Sequence, residues 1–365
     1  MPLDSVSPLL RSVVAVRATV PDDAFTASAL GTRREGSGVV IRGDGLVLTI
    51  GYLITEAEEV WLTDQDGRVV PAHALAYDQE TGFGLVQALA PLGLPAVALG
   101  DASKSKVGDP VVFADGTGRS VKAHIVTKQE FAGYWEYLLD EAIFIAPAHP
   151  SWGGAALLGQ DGSLLGIGSL LLQMSRNGEV ADINMIVPIN LLPPILDDLL
   201  TRGQVAKPPR PWLGAFSAES NGAVVVMSVA EGGPAAKAGL RQGDIISDVR
   251  DGEVDGLADF YRKLWQNPAG SEIPLRVVRD GRETWLRVKS ADRNSFLKKP
   301  HLQCGTAFPS PLVGEGGSAR SAETDEGCSR ERQRLTPLEH PSSVAFGDTF
   351  SHRGRREGRF NPHMP

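Results

Sequence analysis

The sequence predicts a mostly β protein, and three observations carry that prediction. Between residues 12 and 190, short apolar runs are separated by turn pairs such as Gly43-Asp44-Gly45, Asp66-Gly67, Asp115-Gly116 and Asp161-Gly162. Many short strands at close spacing point to a sandwich or barrel. A second block, residues 212–290, mixes strand runs with one helix-spaced run. Between the blocks lies Lys207-Pro208-Pro209-Arg210-Pro211, a stiff extended segment of the kind that joins domains.

The chain has 365 residues, enough for two or three domains with sizeable cores. Its 36 basic and 44 acidic residues leave a net charge of −8, which argues against nucleic acid or an anionic membrane as partner. The two cysteines, Cys304 and Cys328, sit near the C-terminus, so neither a disulfide framework nor a Cys-based zinc site holds the body. No apolar run reaches 18 residues, and no transmembrane segment is expected. Asp4 precedes any basic residue and Arg11 interrupts a short apolar segment, unlike a secretory signal. The expected location is therefore the cytoplasm, or the periplasm if the true start lies upstream.

The expected strands of the first block include Val13–Val16, Gly38–Ile41, Leu46–Ile50, Glu59–Leu62 and Val111–Ala114. Residues 191–200 have the spacing of a short helix with a Pro pair in its first turn. In the second block, Ala223–Val229 and Asp244–Val249 read as strands. Leu257, Phe260, Tyr261 and Leu264 mark one helix face. Ile273–Val278 and Glu283–Val288, joined by Asp280-Gly281, read as a hairpin. Residues 301–365 contain no Ile, and Leu, Val and Phe total 10 of 65, below the roughly 20% at which core formation becomes doubtful. The expected division is 1–200, a linker at 201–211, 212–292, and a disordered tail at 293–365.

Several motifs occur in a telling order. Gly36-Ser37-Gly38-Val39-Val40 precedes Asp44-Gly45-Leu46-Val47-Leu48-Thr49. Leu99-Gly100-Asp101 precedes Val107-Gly108-Asp109-Pro110-Val111. Gly153-Gly154 precedes Asp161-Gly162-Ser163-Leu164-Leu165-Gly166-Ile167. Gly233-Pro234-Ala235-Ala236-Lys237-Ala238-Gly239-Leu240 precedes Gly243-Asp244-Ile245-Ile246. Over residues 12–290 these patterns resemble an HtrA-type serine protease. The resemblance implies a trypsin-like double β-barrel followed by a small α+β PDZ domain.

Active members of that family use Ser, His and Asp: His takes the Ser proton and Asp orients His. The resemblance places Tyr52 at the His position, Gly82 at the Asp position and Trp152 at the Ser position. A phenol with a pKa of about 10 is no base near neutrality, and glycine offers no carboxylate. Pro150 stands where the family's oxyanion hole takes a backbone N–H, and proline has none. Losing one such donor costs roughly 100- to 1000-fold in rate. Trp152 is bulky enough to fill the former cleft. Ser151 and His149 are adjacent, but no carboxylate lies at motif spacing from His149. His73 and His124 fall on expected strands. No cofactor and no metal are expected: no His/Asp/Glu pattern resembles a metal site, and Gly36-Ser37-Gly38 lacks the following Lys-Ser/Thr of a phosphate loop.

The resemblance also implies a working peptide groove. Trp212, Leu213, Gly214, Ala215 and Phe216 match the family's carboxylate-binding loop, whose backbone N–H groups would receive a peptide C-terminus. The strand from Phe216 and the helix Leu257–Leu264 would form the groove walls. Three functions follow. One is a pseudoprotease that binds C-terminal or unfolded peptides. Another is a serine endopeptidase of protein quality control using non-standard residues. The third is a structural subunit in a homo- or hetero-oligomer with HtrA-like relatives.

Overall fold

In the computed structural model, which describes residues 7–176 and 179–298, the apolar runs of the first block close into two antiparallel barrels. The first comprises β1 (Val13–Thr19), β2 (Arg33–Arg42), β3 (Leu46–Ile50), β4 (Glu59–Thr63), β5 (Val69–Tyr77) and β6 (Phe83–Ala88), in the order β1-β2-β3-β6-β5-β4. The second comprises β7 (Pro110–Ala114), β8 (Ser120–Gly133), β9 (Tyr137–Ala146), β10 (Ala156–Leu158), β11 (Leu164–Arg176) and β12 (Glu179–Pro188), in the order β10-β11-β12-β9-β8-β7. Closure leaves no unpaired strand edge. Alternation sets the inward faces: β1 buries Val14, Val16 and Ala18 and exposes Arg17 and Thr19. All five residues of β3 are buried, and its one polar side chain, Thr49, donates to the Ser37 carbonyl at 2.6 Å.

Two helical turns, α1 (Ser7–Leu10) and α2 (Ala27–Leu30), flank β1. Helix α3 (Pro193–Arg202) starts on its Pro pair, where missing N–H groups do no harm, and ends at Gly203 in the left-handed region. It runs two residues into the expected linker.

The second block folds into a sheet of β13 (Ala215–Ser220), β14 (Ala223–Val229), β15 (Ile245–Val249), β17 (Glu272–Arg279) and β18 (Arg282–Lys289), with β16 (Gly252–Glu253) pairing β15. Helices α4 (Pro234–Lys237) and α5 (Leu257–Leu264) complete it. The apolar face of α5, Leu257, Phe260, Tyr261 and Leu264, is buried as its spacing predicts. Asp280 and Gly281 both take positive φ, the two-residue turn whose twist suits a hairpin.

One expectation needs correction. Residues 293–298, placed in the tail from composition, are folded: they contain a turn at Arg293–Ser295, and Phe296 packs against Phe25 and Trp212. The Lys298 amide donates to the Glu56 carboxylate at 2.8 Å. The rest of the expected tail lies outside the described residues.

Candidate functional site

Strand β3 runs into a 3-10 turn, Gly51–Leu53, which carries Tyr52 from the first barrel toward the second. The Tyr52 hydroxyl donates to the Ser169 carbonyl on β11 at 3.0 Å. A Cβ at Gly153 would lie 2.7 Å from that hydroxyl, so a side chain there would push the hydroxyl aside. Burial raises the Tyr52 pKa above its ordinary value, and interaction with the adjacent Trp152 side chain only partly offsets this. Thus Tyr52 and Trp152 are neighbours between the barrels. The buried guanidinium of Arg34 supports the turn from below, donating to the carbonyls of Tyr52 at 2.8 Å and Thr55 at 2.9 Å.

Gly82 sits at the start of β6 with φ +81. Its carbonyl accepts from the Gly51 amide at 2.7 Å, next to Tyr52. A Cβ here would lie 3.1 Å from the Tyr137 hydroxyl. The nearby Asp78 carboxylate is taken by the amide and hydroxyl of Thr81, each at 2.8 Å.

The loop before β10 holds His149, Pro150, Ser151 and Trp152. Here the fold supplies what sequence spacing did not: Asp115, at the end of β7, brings a carboxylate oxygen to 3.9 Å from Nε2 of His149. His149 therefore has a carboxylate neighbour, contrary to expectation, because the two loops lie side by side in the second barrel. The three groups do not form a relay. Nδ1 of His149 accepts the Ser151 backbone N–H at 3.0 Å, leaving that nitrogen unavailable to the Ser151 hydroxyl. The Ser151 hydroxyl instead accepts from Arg119 at 2.6 Å. Arg119 and Thr117 also occupy the Asp115 carboxylate. Burial lowers the His149 pKa while Asp115 opposes it, which keeps the imidazole neutral near neutrality. His73 is half-buried on β5 and His124 exposed on β8, apart from this site.

The second cluster is the loop before β13. The backbone N–H groups of Leu213, Gly214 and Ala215 converge on one carboxylate, that of Glu136. Its Oε1 accepts from Gly214 at 2.7 Å and from Leu213 and Ala215 at 3.1 Å each; Oε2 accepts a second contact from Leu213 at 3.1 Å. Two of the five expected binding residues stand outside this cradle. The Trp212 N–H donates to the Ala291 carbonyl at 2.8 Å, and the Phe216 ring packs near Tyr134. Burial pushes the Glu136 pKa up to about 7, against the three amides and Arg293, which pull it down. Sequence reading missed Glu136 because its partners lie 77–79 residues away. The one signal was a charged residue in a three-residue hairpin loop where glycine is usual.

Residues 36–167 match the trypsin-like peptidase domain family, and residues 211–289 match the PDZ domain family. A probable periplasmic serine protease, do/HhoA-like, of Haemophilus influenzae is 30% identical over 285 residues, covering 72% of this chain and 59% of its own. The periplasmic pH-dependent serine endoprotease DegQ of Escherichia coli is 26% identical over 314 residues, 80% of this chain and 68% of its own. Among solved structures, a variant of the HtrA-type protease AlgW with a tripeptide shares the fold. Its TM-score is 0.50 at 22% identity, over 81% of this chain and 97% of its own. The chain spans about three fifths of the length of the first curated relatives, 59%, 61% and 62%. No helix among the described residues is long and apolar enough to cross a membrane.

Two closed barrels followed by a six-strand sheet flanked by two helices define a trypsin-like peptidase fold joined to one PDZ domain. HtrA/DegP-like serine proteases are the relatives this pair of domains is similar to.

Proposed function

We propose that this protein is a non-catalytic member of the HtrA/DegP-like family that acts by capturing peptides through its PDZ domain. The observation that carries the reading is the Tyr52 hydroxyl. It occupies the position that the family gives to the general base, and it donates its proton to the Ser169 carbonyl. A proton held in a donated hydrogen bond, on a phenol whose pKa burial has raised, is not available as a vacant base site. Gly82 brings no carboxylate behind it, Trp152 brings no hydroxyl, and Pro150 brings no oxyanion donor. The names of the relatives favour the periplasm as the compartment.

A second reading has one observation in its favour: Asp115, His149 and Ser151 are neighbours in the second barrel. Hydrolysis through Ser151 would require His149 to release the Ser151 amide and Arg119 to release the Ser151 hydroxyl. The test is incubation of purified full-length protein with unfolded casein and a serine-directed fluorophosphonate. The expected result is neither cleavage nor labelling. Labelling that Ser151→Ala abolishes would reverse the assignment.

A further inference from the structure

The carboxylate held by the PDZ loop comes from the tip of the hairpin that joins β8 and β9. Its three loop residues are Tyr134, Trp135 and Glu136. Glu136 takes φ +58, the left-handed conformation at the last loop position, where a side chain costs roughly 1 kcal/mol or more relative to glycine. That conformation aims the carboxylate into the cradle of Leu213, Gly214 and Ala215.

The tip also lies along both groove walls. On one side, β13 is the edge strand of its sheet, and its Ser217 N–H donates to the Tyr134 carbonyl at 2.9 Å. This is one rung of strand addition. On the other side, the Tyr261 hydroxyl of α5 donates to the Gly133 carbonyl at 2.8 Å and accepts the Glu136 N–H at 3.2 Å. Arg262, also on α5, pairs with Glu130 on β8 and Asp140 on β9. Carboxylate, extended carbonyl and both walls are therefore engaged as a bound peptide end would engage them.

We propose that the Gly133–Tyr137 tip is an internal ligand that closes the PDZ groove, and that a peptide with a free C-terminal carboxylate binds by displacing Glu136. This rests on the peptide-binding reading above and adds its regulation. The incoming peptide must present its α-carboxylate to the same three amides and a backbone carbonyl to Ser217. A C-terminal amide lacks the second acceptor oxygen that Glu136 supplies.

The test uses the full chain in three forms: wild type, Glu136→Ala, and Tyr261→Phe, which removes only the hydroxyl that grips the tip. Amide hydrogen exchange reads the internal contact without any peptide. The amides of Leu213, Gly214, Ala215 and Ser217 are expected to exchange on the order of tenfold faster in both variants, while β17 and β18 keep their protection. Unchanged exchange at these four amides in both variants overturns the proposal. A decapeptide library with free carboxylates, and the same library amidated, reads displacement. The carboxylate library is expected to bind the variants on the order of tenfold more tightly than wild type, since only the open fraction binds. The amidated library is expected to show no such gain. Equal binding to wild type and variants overturns displacement. Fast exchange without binding of either library rejects the peptide-binding reading itself, while the hairpin contact stands.

Discussion

Glu136 and Gly214 are 78 residues apart in sequence, yet the Gly214 amide donates to the Glu136 carboxylate at 2.7 Å. The contact joins the second barrel to the PDZ domain through the group that PDZ loops are shaped to hold, and its strength depends on protonation.

Burial sets the direction of that dependence. Glu136 has a pKa of about 7 when docked, against 4.5 when free. Between those values the docked form binds a proton that the undocked form releases, so docking is fully favoured below pH 4.5 and weakens as pH rises to about 7. Of the groups facing it, Tyr261, raised by burial, stays neutral throughout this window. Affinity for carboxylate peptides should therefore tighten from pH 5 to pH 8 in wild type and stay flat in Glu136→Ala. Isothermal titration across that range checks it; a wild-type profile as flat as the variant's would contradict it.

The Tyr52 hydroxyl bridges the barrels. Tyr52→Phe keeps the ring and removes the bond to Ser169, leaving that carbonyl short of a donor. The expected loss is about 1–2 kcal/mol of unfolding free energy, with secondary structure intact. Urea denaturation measures it, and an unchanged midpoint would mean that water replaces the hydroxyl without loss.

Gly154 is fixed by contact as well as by conformation. Its φ is +76, and a Cβ would lie 1.9 Å from the Ser37 carbonyl oxygen, a backbone atom that cannot step aside. Gly154→Ala should cost more than about 3 kcal/mol, since strain and a backbone clash add. Gly67, with φ +82 and open space around it, provides the contrast: Gly67→Ala should cost only about 1 kcal/mol. Thermal unfolding of the two variants side by side separates the clash from the dihedral.

On the non-catalytic reading, Trp152→Ser alone should confer no hydrolysis. Trp152→Ser leaves Tyr52 donating to Ser169, Gly82 without a carboxylate and Pro150 without an N–H. Adding Tyr52→His and Gly82→Asp still places an Asp at φ +81, with its Cβ 3.1 Å from the Tyr137 hydroxyl. Casein hydrolysis by either variant should stay at the buffer rate. Turnover by Trp152→Ser would show that the remaining groups suffice.

The strand runs were legible because alternation and turn chemistry are local: β1, β3, the Asp280-Gly281 hairpin and the apolar face of α5 fall where their patterns put them. The loop at Leu213, Gly214 and Ala215 was singled out through its resemblance to a known motif, but the Glu136 carboxylate that it holds was not. Residues 293–298 were misread because composition averages over a window. A few residues held by Phe25, Trp212 and Glu56 do not change that average.

From the sequence alone came which chemical groups are present: a phenol at Tyr52, a glycine at Gly82, an indole at Trp152 and a proline at Pro150, and three amides in a loop before a strand. Only the folded chain decided what those groups meet. It set Tyr52 against Ser169, Asp115 beside His149 and Glu136 in the amide cradle, pairs separated by 117, 34 and roughly 78 residues. The reason is physical: such pairings depend on how whole domains close and dock, and no short-range periodicity reports that.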